Sequence, residues 1–357
     1  MRSLTIEEKK FRFATPTENS GHKISNGILE AIGQTPIVKF NRYLDSKQVQ
    51  LSVKLESANP GGSAKDRPAF QMIQQALAQG EITKDSTIVE SSSGNMGIGL
   101  AQVCRYHGLK LICVVDPNAQ KQNVKIIKAL GARIEMVTEP LEGDFLAARM
   151  ARVCQLLETI PGSFWPNQYA NCQNPKAHEL GTIREIDEAL AGEIDYLFVA
   201  TSSTGTAQGC RDYLRTHGRK TQVVAVDAQG SVLFGGKPGM RKIPGLGAGR
   251  EPRLARNQNF DHLVRVTDID CVVGCHRAAQ CEAVLIGGSA GGVLESVRSM
   301  QYDLSGKSCV AILHDSGTRY LDTVFNEEWV STSLGASAEE ITQRINGPAL
   351  STERIPS

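Results

Sequence analysis

The chain has 357 residues, of which 41% are hydrophobic and 22% are charged. This composition is typical of globular proteins and argues against wholesale disorder or a fibrous repeat, while the length predicts two domains of about 150 residues each. The 39 basic and 38 acidic residues give a net charge of +1, so no strong overall field is available to bind a nucleic acid or an anionic membrane.

The polar start of the chain lacks the apolar core of a signal peptide, and no apolar run reaches the roughly eighteen residues that span a bilayer. The nine cysteines are odd in number and show no disulfide-scaffold spacing. These features favour a soluble, cytoplasmic protein with reduced thiols. Cys271, Cys275, His276 and Cys281 lack the spacing of a metal site, and buried thiols in a helix are expected there instead.

Between polar termini, short β-branched runs alternate with longer helical patterns. The runs that predict strands lie at 87–90, 111–115, 133–137, 196–200, 223–227 and 309–313. Strand, helix, strand repetition predicts an α/β fold of parallel sheets with right-handed crossovers. Pro161 and Gly162 interrupt the helical run 145–157, so a linker between two α/β halves is expected near 160–165.

The segment 59–68 is a glycine-containing turn that runs into a predicted helix, whose apolar residues recur at helical spacing up to a stop at Gly80. A helix N-terminus and partial burial both lower the pKa of a lysine, so Lys65 at this junction is suited to form a Schiff base. Most lysines that follow a turn are solvated surface residues. The segment alone leaves both interpretations open.

Two further loops follow predicted strands. Ser91, Ser92, Ser93, Gly94 and Asn95 open a helix and offer hydroxyls, an amide and free backbone N–H groups, which suit a carboxylate. The loop 201–206 has five hydroxyl residues in six and no lysine, which suits a phosphate ester that is held but not transferred. An ordinary capped strand-to-helix turn is the alternative for the first loop.

Two later polar segments, 287–292 and 315–321, are interpreted as loops at the carboxyl ends of strands, where α/β proteins place their ligands, although plain helix caps would have the same composition. No GxxxxGK[ST] motif occurs, and the glycines at 245–249 lack the spacing of a dinucleotide fingerprint. A nucleotide P-loop and a nicotinamide-dependent oxidoreductase are therefore disfavoured.

In combination and order, these segments resemble the fold-type II enzymes that use pyridoxal 5′-phosphate, the cysteine synthase and cystathionine β-synthase family. The resemblance covers about residues 28–325. Three of the segments described above take part: the lysine segment (59–68), the serine loop (91–97) and the hydroxyl loop (201–206). The resemblance also includes Ile32-Gly33-Gln34-Thr35-Pro36, Gln168-Tyr169, the glycines at 245–249, Ser289 and the segment 316–321.

The resemblance implies a role for each motif. Lys65 would form the Schiff base with the cofactor and later serve as the general base. Asn95 would bond the 3′-oxygen of the cofactor, Ser289 would lie against its pyridine nitrogen, and its phosphate would be held by Ser202, Ser203, Thr204, Gly205 and Thr206. A hydroxyl beside the pyridine nitrogen favours elimination and β-replacement over a long-lived carbanion. The substrate-binding residues would be Ser92, Ser93, Asn95, Met96, Arg149, Gln168 and Tyr169.

The resemblance also implies an organisation. A larger domain that binds the cofactor phosphate would comprise 28–57 and 163–335, and a smaller mobile substrate domain would comprise 58–162. Residues 1–27 would form an N-terminal extension and 336–357 a C-terminal tail. A homodimer is expected, with small amino acids as substrates and no metal, nucleic acid or membrane as partner.

Departures from the usual cysteine synthase pattern point to the second substrate. The serine loop ends in Ser-Ser-Gly-Asn-Met, and 202–206 reads Ser-Ser-Thr-Gly-Thr. The segments 116–117, 167–171, 226–232 and 244–247 resemble the siderophore-pathway branch of the family more closely. This resemblance implies β-replacement of O-phospho-L-serine by L-glutamate towards 2,3-diaminopropionate. Arg149, with Tyr169 and Ser202, is the candidate carboxylate clamp for glutamate, although an arginine on a solvated helix face has the same pattern.

Two rival functions stay open. One is a cysteine synthase that combines O-acetylserine or O-phosphoserine with sulfide. The other is a binding or regulatory protein that retains the cofactor without turnover, which the presence of Lys65 and of the full hydroxyl loop disfavours.

Overall fold

A computed structural model describes residues 24–349 and 352–355. Within these residues the strands are β1 (Ile37–Lys39), β2 (Gln50–Leu55), β3 (Thr87–Glu90), β4 (Lys110–Val115), β5 (Arg133–Met136), β6 (Ser163–Phe164), β7 (Tyr196–Ala200), β8 (Gln222–Ala228), β9 (His262–Val266), β10 (Ser308–Leu313) and β11 (Glu353–Ile355).

The helices of the same residues are α1 (Asp66–Ala78), α2 (Asn95–His107), α3 (Lys121–Ala129), α4 (Phe145–Thr159), α5 (Gln173–Ala177), α6 (Ile183–Ala189), α7 (Gly205–Thr216), α8 (Asp268–Glu282), α9 (Gly288–Met300), α10 (Glu327–Leu334) and α11 (Ala338–Asn346). A π-helical turn, His178–Thr182, joins α5 to α6. Short 3-10 turns lie at Ile28–Ala31, Glu56–Ala58, Leu233–Gly235, Arg253–Ala255 and Gly317–Tyr320.

The strands form two sheets. The larger has seven strands in the order β1-β2-β10-β7-β8-β9-β11, and its five inner strands are parallel while β1 and β11 pair antiparallel at the edges. The smaller has four parallel strands in the order β5-β4-β3-β6. The predicted α/β fold with parallel sheets is confirmed.

Helices cover both faces of each sheet. In β7, Phe198 packs in the core formed with α8 and α9, while the alternate residues Leu197 and Val199 pack in the core formed with α6 and α7. In β3, Ile88 packs against α1 and α2, and Val89 packs against α4. Strands buried on both faces carry continuous apolar runs, which is why these runs stand out in the sequence.

The predicted strands and the helix after Lys65 are confirmed, and 87–90 and 196–200 match β3 and β7 residue for residue. Two segments differ from expectation. The segment 160–165, expected to be a linker, contains β6, which pairs with β3. The C-terminal segment contains α11 and β11, and β11 pairs with β9. The glycines at 287–292 open α9, which is the helix-cap alternative that the sequence left open.

Most of the expected N-terminal extension, residues 1–23, lies outside the described residues. All nine cysteines lie within them and are free thiols. None of the helices in the described part of the chain is both long and apolar enough to cross a membrane.

Candidate active site

Lys65 lies at the junction that the sequence predicts, immediately before α1. Two contacts attach its loop to the end of β10: the Ala64 backbone N–H donates to the His314 carbonyl at 2.8 Å, and Ser63 forms an isolated β-bridge with Asp315. The Lys65 backbone N–H donates to Ser63 Oγ at 3.2 Å. These contacts fix the backbone on which Lys65 lies to the end of β10.

Burial lowers the pKa of Lys65 from 10.5 to about 8, and the negative charges of Asp315 and Glu56 oppose this effect only in part. A larger fraction of neutral amine is consequently present near neutral pH than for an exposed lysine. A neutral amine is both a nucleophile and a base, as Schiff-base chemistry requires.

The hydroxyl loop joins β7 to α7. Thr204 has a φ of 65°, a left-handed conformation at a residue other than glycine, and it places Gly205 at the start of the helix. A Cβ at Gly205 would lie 2.3 Å from Asn174 Oδ1, so only glycine fits. Asn174 Nδ2 in turn donates to Ser203 Oγ at 3.2 Å. The loop is thus held against α5, with the N-terminus of α7 beside its hydroxyls.

A buried histidine supports the same loop. Thr206 Oγ1 lies 3.1 Å from His178 Nε2, and His178 Nδ1 lies 2.9 Å from Thr182 Oγ1. Burial, together with the nearby charges of Lys65 and Arg67, lowers the pKa of His178 well below its usual value. The imidazole is therefore neutral and acts as a hydrogen-bond relay between the two threonines.

The serine loop leads from β3 into α2. Ser92 Oγ accepts from the Gly97 backbone N–H at 3.0 Å, which leaves its own proton free for an acceptor. Asn95 Nδ2 donates to Asp315 Oδ2 at 2.7 Å, and Asn95 Oδ1 accepts from Arg319. The amide of Asn95 is therefore held from two sides.

Three adjoining cavities lie at this site, and the residues described above line them. The inner cavity is lined by Ala64, Lys65, Asn95, Ala200, Ser202, Ser203, Thr204, Thr206, Gly245, Ser289 and His314. The middle cavity is lined by Lys65, Ser91, Ser92, Ser93, Gly94, Asn95, Met96, Asn123, Arg149, Gln168, Tyr169, Ser202, Ser203, Pro244, Gly245 and Tyr320. Every predicted site residue except Gly205 lines one of these two cavities.

The outer cavity continues from the middle one, since both are lined by Arg149, Tyr169 and Ser202. Its remaining wall includes Arg241, Arg250 and Arg253. Arg149 Nε lies 3.1 Å from Asp116 Oδ2, so this predicted clamp already has an acidic partner.

Several residues of the site had no predicted role. Asp315 and Tyr320 belong to the segment 315–321, which the sequence singles out, and Tyr320 donates from its hydroxyl to Asp315 Oδ2 at 2.6 Å. Glu90 ends β3 and accepts from Trp165 Nε1 at 3.1 Å. Burial raises the pKa of Glu90 to about 7. Asn174 and His178 carry no motif signal, because each supports the loop 201–206 through a contact with a residue distant in sequence.

Residues 28–315 match the family described as pyridoxal-phosphate dependent enzyme. The chain belongs to this family. It is 42% identical over 317 residues to the N-(2-amino-2-carboxyethyl)-L-glutamate synthase of Ralstonia nicotianae, a match that covers 88% of this chain and 94% of that protein. The resemblance stated from the motifs is confirmed, and the chain is a pyridoxal-phosphate-dependent transferase of the β-replacement type.

Two solved structures show the same fold. The O-acetylserine dependent cystathionine β-synthase of Helicobacter pylori has a TM-score of 0.78 at 30% identity, covering 84% of this chain and 98% of its own. The O-acetyl serine sulfhydrylase isoform 3 of Entamoeba histolytica has a TM-score of 0.81 at 28% identity, covering 93% of this chain and 99% of its own.

The inner cavity fits the family's cofactor. Its hydroxyl loop and the N-terminus of α7 provide donors for a phosphate, while Lys65 lies in the same cavity. None of the described residues that line this cavity is acidic, so its wall presents no carboxylate to a phosphate dianion. The cavity thus offers an amine for the aldehyde of pyridoxal phosphate and hydrogen-bond donors for its phosphate.

Proposed function

We propose that this enzyme replaces the phosphate group of O-phospho-L-serine with the amine of L-glutamate, giving N-(2-amino-2-carboxyethyl)-L-glutamate and inorganic phosphate. The 42% identical relative named for this product supports the proposal. The observation that carries it is the junction formed by Arg149, Tyr169 and Ser202, which connects the cavity of Lys65 to an arginine-lined outer cavity. A sulfide nucleophile needs no such wall, whereas glutamate brings two carboxylates.

The cofactor would be held by residues of the inner cavity. Lys65 would bond its aldehyde carbon, Asn95 would bind its ring oxygen, and Ser289 would bind its ring nitrogen. Its phosphate would be held by Ser202, Ser203, Thr204, Gly205 and Thr206. Bound there, pyridoxal phosphate supplies an electron-withdrawing system that acidifies the α-carbon of an attached amino acid.

The residues of the middle cavity would orient phosphoserine for proton abstraction. Ser92, Ser93 and the backbone at the start of α2 offer donors to the α-carboxylate. Lys65, with its lowered pKa, would accept the α-proton at Nζ once its amine is released. The same ammonium group can then return a proton to the α-carbon after the nucleophile has added.

The remaining side chains of the middle cavity would select the substrate. Met96 is buried at the first turn of α2, and Gln168 is buried beside Tyr169. Closure of 58–162 over the cavity would exclude water from the reacting carbon. We propose this closure together with a homodimeric, cytoplasmic enzyme that acts in 2,3-diaminopropionate synthesis for siderophores.

The test is phosphate release by the purified holoenzyme. With phosphoserine as donor, glutamate is expected to support phosphate release and to yield a product whose mass equals that of N-(2-amino-2-carboxyethyl)-L-glutamate. Sulfide in place of glutamate tests the cysteine synthase alternative, which the fold shared with an O-acetyl serine sulfhydrylase favours. Release with sulfide but not with glutamate would overturn the proposal, and O-acetylserine tests the identity of the donor.

A further inference from the structure

Arg241 lies on the wall of the outer cavity and is half-buried. Its Nη1 donates to the Leu246 carbonyl at 3.2 Å. The guanidinium lies close against the following loop, because a Cβ at Gly247 would come within 3.1 Å of Nη1 and a Cβ at Gly249 within 3.2 Å of Nη2. Gly247 also has a φ of +71°, which disfavours any other residue. The loop therefore holds the arginine in a defined place.

Arg241 forms no close ion pair. Among the residues that the structure describes, no carboxylate lies within ion-pair distance of it, although the charge of the buried Asp227 acts on it at longer range. Its buried Nε has no hydrogen-bond acceptor. The buried Nε of Arg149 also lacks a hydrogen bond, but Asp116 lies 3.1 Å away and compensates the charge of Arg149. A buried guanidinium donor without an acceptor is unfavourable, so an anionic ligand at Arg241 would satisfy an existing deficit.

The surroundings favour an anion as well. The described wall of the outer cavity contains Arg149, Arg241, Arg250 and Arg253 but only two acids, Asp144 and Glu251. Asp144 Oδ1 is already engaged as an acceptor for the Leu146 backbone N–H at 2.7 Å, where it caps α4. The cavity therefore carries an excess of positive charge.

Arg241 and Arg149 also act on the same phenol. Burial raises the pKa of Tyr169, and the charges of Arg149 and Arg241 partly offset this effect. Both guanidinium groups therefore lie within electrostatic range of Tyr169, a residue that the middle and outer cavities share. A nucleophile whose amine points towards Lys65 would extend past Tyr169 towards Arg241.

We propose that Arg241 binds the side-chain carboxylate of a dicarboxylic amino acid and so selects glutamate as the nucleophile. The inference rests on the proposed function and adds a residue that determines its specificity. A guanidinium presents paired N–H donors that match a carboxylate, and it has no acceptor with which to bind the amide group of glutamine equally well. Discrimination between glutamate and glutamine should therefore depend on this residue.

The experiment compares Arg241→Gln and Arg241→Lys with the wild-type holoenzyme, with phosphoserine saturating and phosphate release as the readout. Arg241→Gln should raise the KM for glutamate by about tenfold to a hundredfold, as expected when a hydrogen bond to a charged group is lost. The KM for glutamine should stay unchanged, so the preference for glutamate collapses. Arg241→Lys keeps the charge but not the paired donors and should lie between the two.

Two controls separate binding from folding. Lys242→Gln removes one positive charge at the neighbouring exposed residue, which does not line the cavity, and it should leave the KM for glutamate unchanged. The change in the visible absorption of the cofactor on adding phosphoserine alone should survive in Arg241→Gln, because the donor binds in the middle cavity. The wild-type enzyme tests the same idea without any variant, since glutamine must be a much poorer nucleophile than glutamate.

The failures are distinguishable. If the wild type releases phosphate with glutamate but Arg241→Gln keeps its KM for glutamate, or if the wild type uses glutamine equally well, this inference is overturned while the proposed function stands. If the wild type releases phosphate with sulfide and not with glutamate, both are overturned.

Discussion

Asn95 donates from Nδ2 to Asp315 Oδ2 at 2.7 Å, a hydrogen bond that joins the start of α2 to the segment following β10. Arg319 donates to the other end of the same amide, at Asn95 Oδ1. A guanidinium can only donate and a carboxylate can only accept, so the two partners together define the orientation of the amide. One N–H of Asn95 is left for a ligand in the inner cavity.

Replacing Asp315 should therefore release Asn95. With phosphoserine, the proposed donor, Asp315→Ala should reduce kcat/KM by about tenfold to a hundredfold, because the hydrogen bond to a buried carboxylate is lost. It should also lower the pKa of Lys65 below about 8, since the charge of Asp315 favours the protonated amine. Steady-state kinetics and the pH dependence of cofactor binding measure the two effects. Thr318→Ala, an exposed change in the same segment, is the control, and equal kinetics for both variants would contradict the assignment.

The lowered pKa of Lys65 predicts a pH dependence for reconstitution. Only the neutral amine attacks the aldehyde of pyridoxal phosphate, so the rate at which the apoenzyme forms its visible absorption band should rise as pH increases through about 8. Lys65→Ala should form no band and no borohydride-stable adduct. A midpoint near 10.5, the usual lysine value, would show that burial does not lower the pKa of this amine.

The parts of the fold that the sequence predicts are those whose pattern is local. The strand at 196–200 is a continuous apolar run because both faces of β7 are buried. Other elements carry no comparable signal. β6 has two residues, and it is a strand only because it pairs with β3. β11 lies at the edge of the larger sheet, where pairing with β9 rather than its own composition makes it a strand.

The residues of the site also divide into those with a local sequence pattern and those without one. Lys65, Asn95 and the hydroxyl loop lie in segments whose residue types and order are informative, and the structure brings them to adjoining cavities. The supporting contacts are not visible in the sequence. Asp315 lies 220 residues from Asn95, and the acidic partner of Arg149 is Asp116, which follows β4. Such pairs are created by tertiary packing, which no local pattern encodes.

Gly205 offers a test of the proposed role of the hydroxyl loop in holding the cofactor phosphate. Gly205→Ala would place a Cβ 2.3 Å from Asn174 Oδ1, so Asn174 or the loop must move. We expect weaker retention of pyridoxal phosphate and a loss of about 1–3 kcal/mol in the free energy of unfolding, the range for overpacking. Cofactor content after dialysis and urea unfolding measure these effects. Thr216→Ala, at the exposed end of the same helix, should retain the cofactor as the wild type does.

A buried network of charged side chains lies next to the lysine segment and includes Arg67, two residues after Lys65. Arg67 Nε lies 2.7 Å from Glu56 Oε2, and Arg67 Nη1 lies 2.6 Å from Glu185 Oε1. Lys54 Nζ completes the set at 2.6 Å from Glu185 Oε2. Burial raises the pKa of Glu185, but the hydrogen bond and charge of Arg67 and of Lys54 outweigh it and lower this pKa to about 2. Two cations and two anions thus share one desolvated region, with Arg67 in contact with both acids.

Arg67→Met should destabilise the protein by about 3–5 kcal/mol, because it leaves two buried carboxylates with a single cation. Glu185 has a lower pKa when folded than the ordinary 4.5, so its contribution to stability is present above pH 4.5 and is lost as the pH falls towards about 2. The variant should weaken that dependence. Urea unfolding at neutral and acidic pH measures both effects. The control is Arg184→Met, at the residue next to Glu185, which removes the exposed ion pair of Arg184 with Glu188 and should leave stability unchanged. Equal unfolding of the two variants would contradict the role of the network.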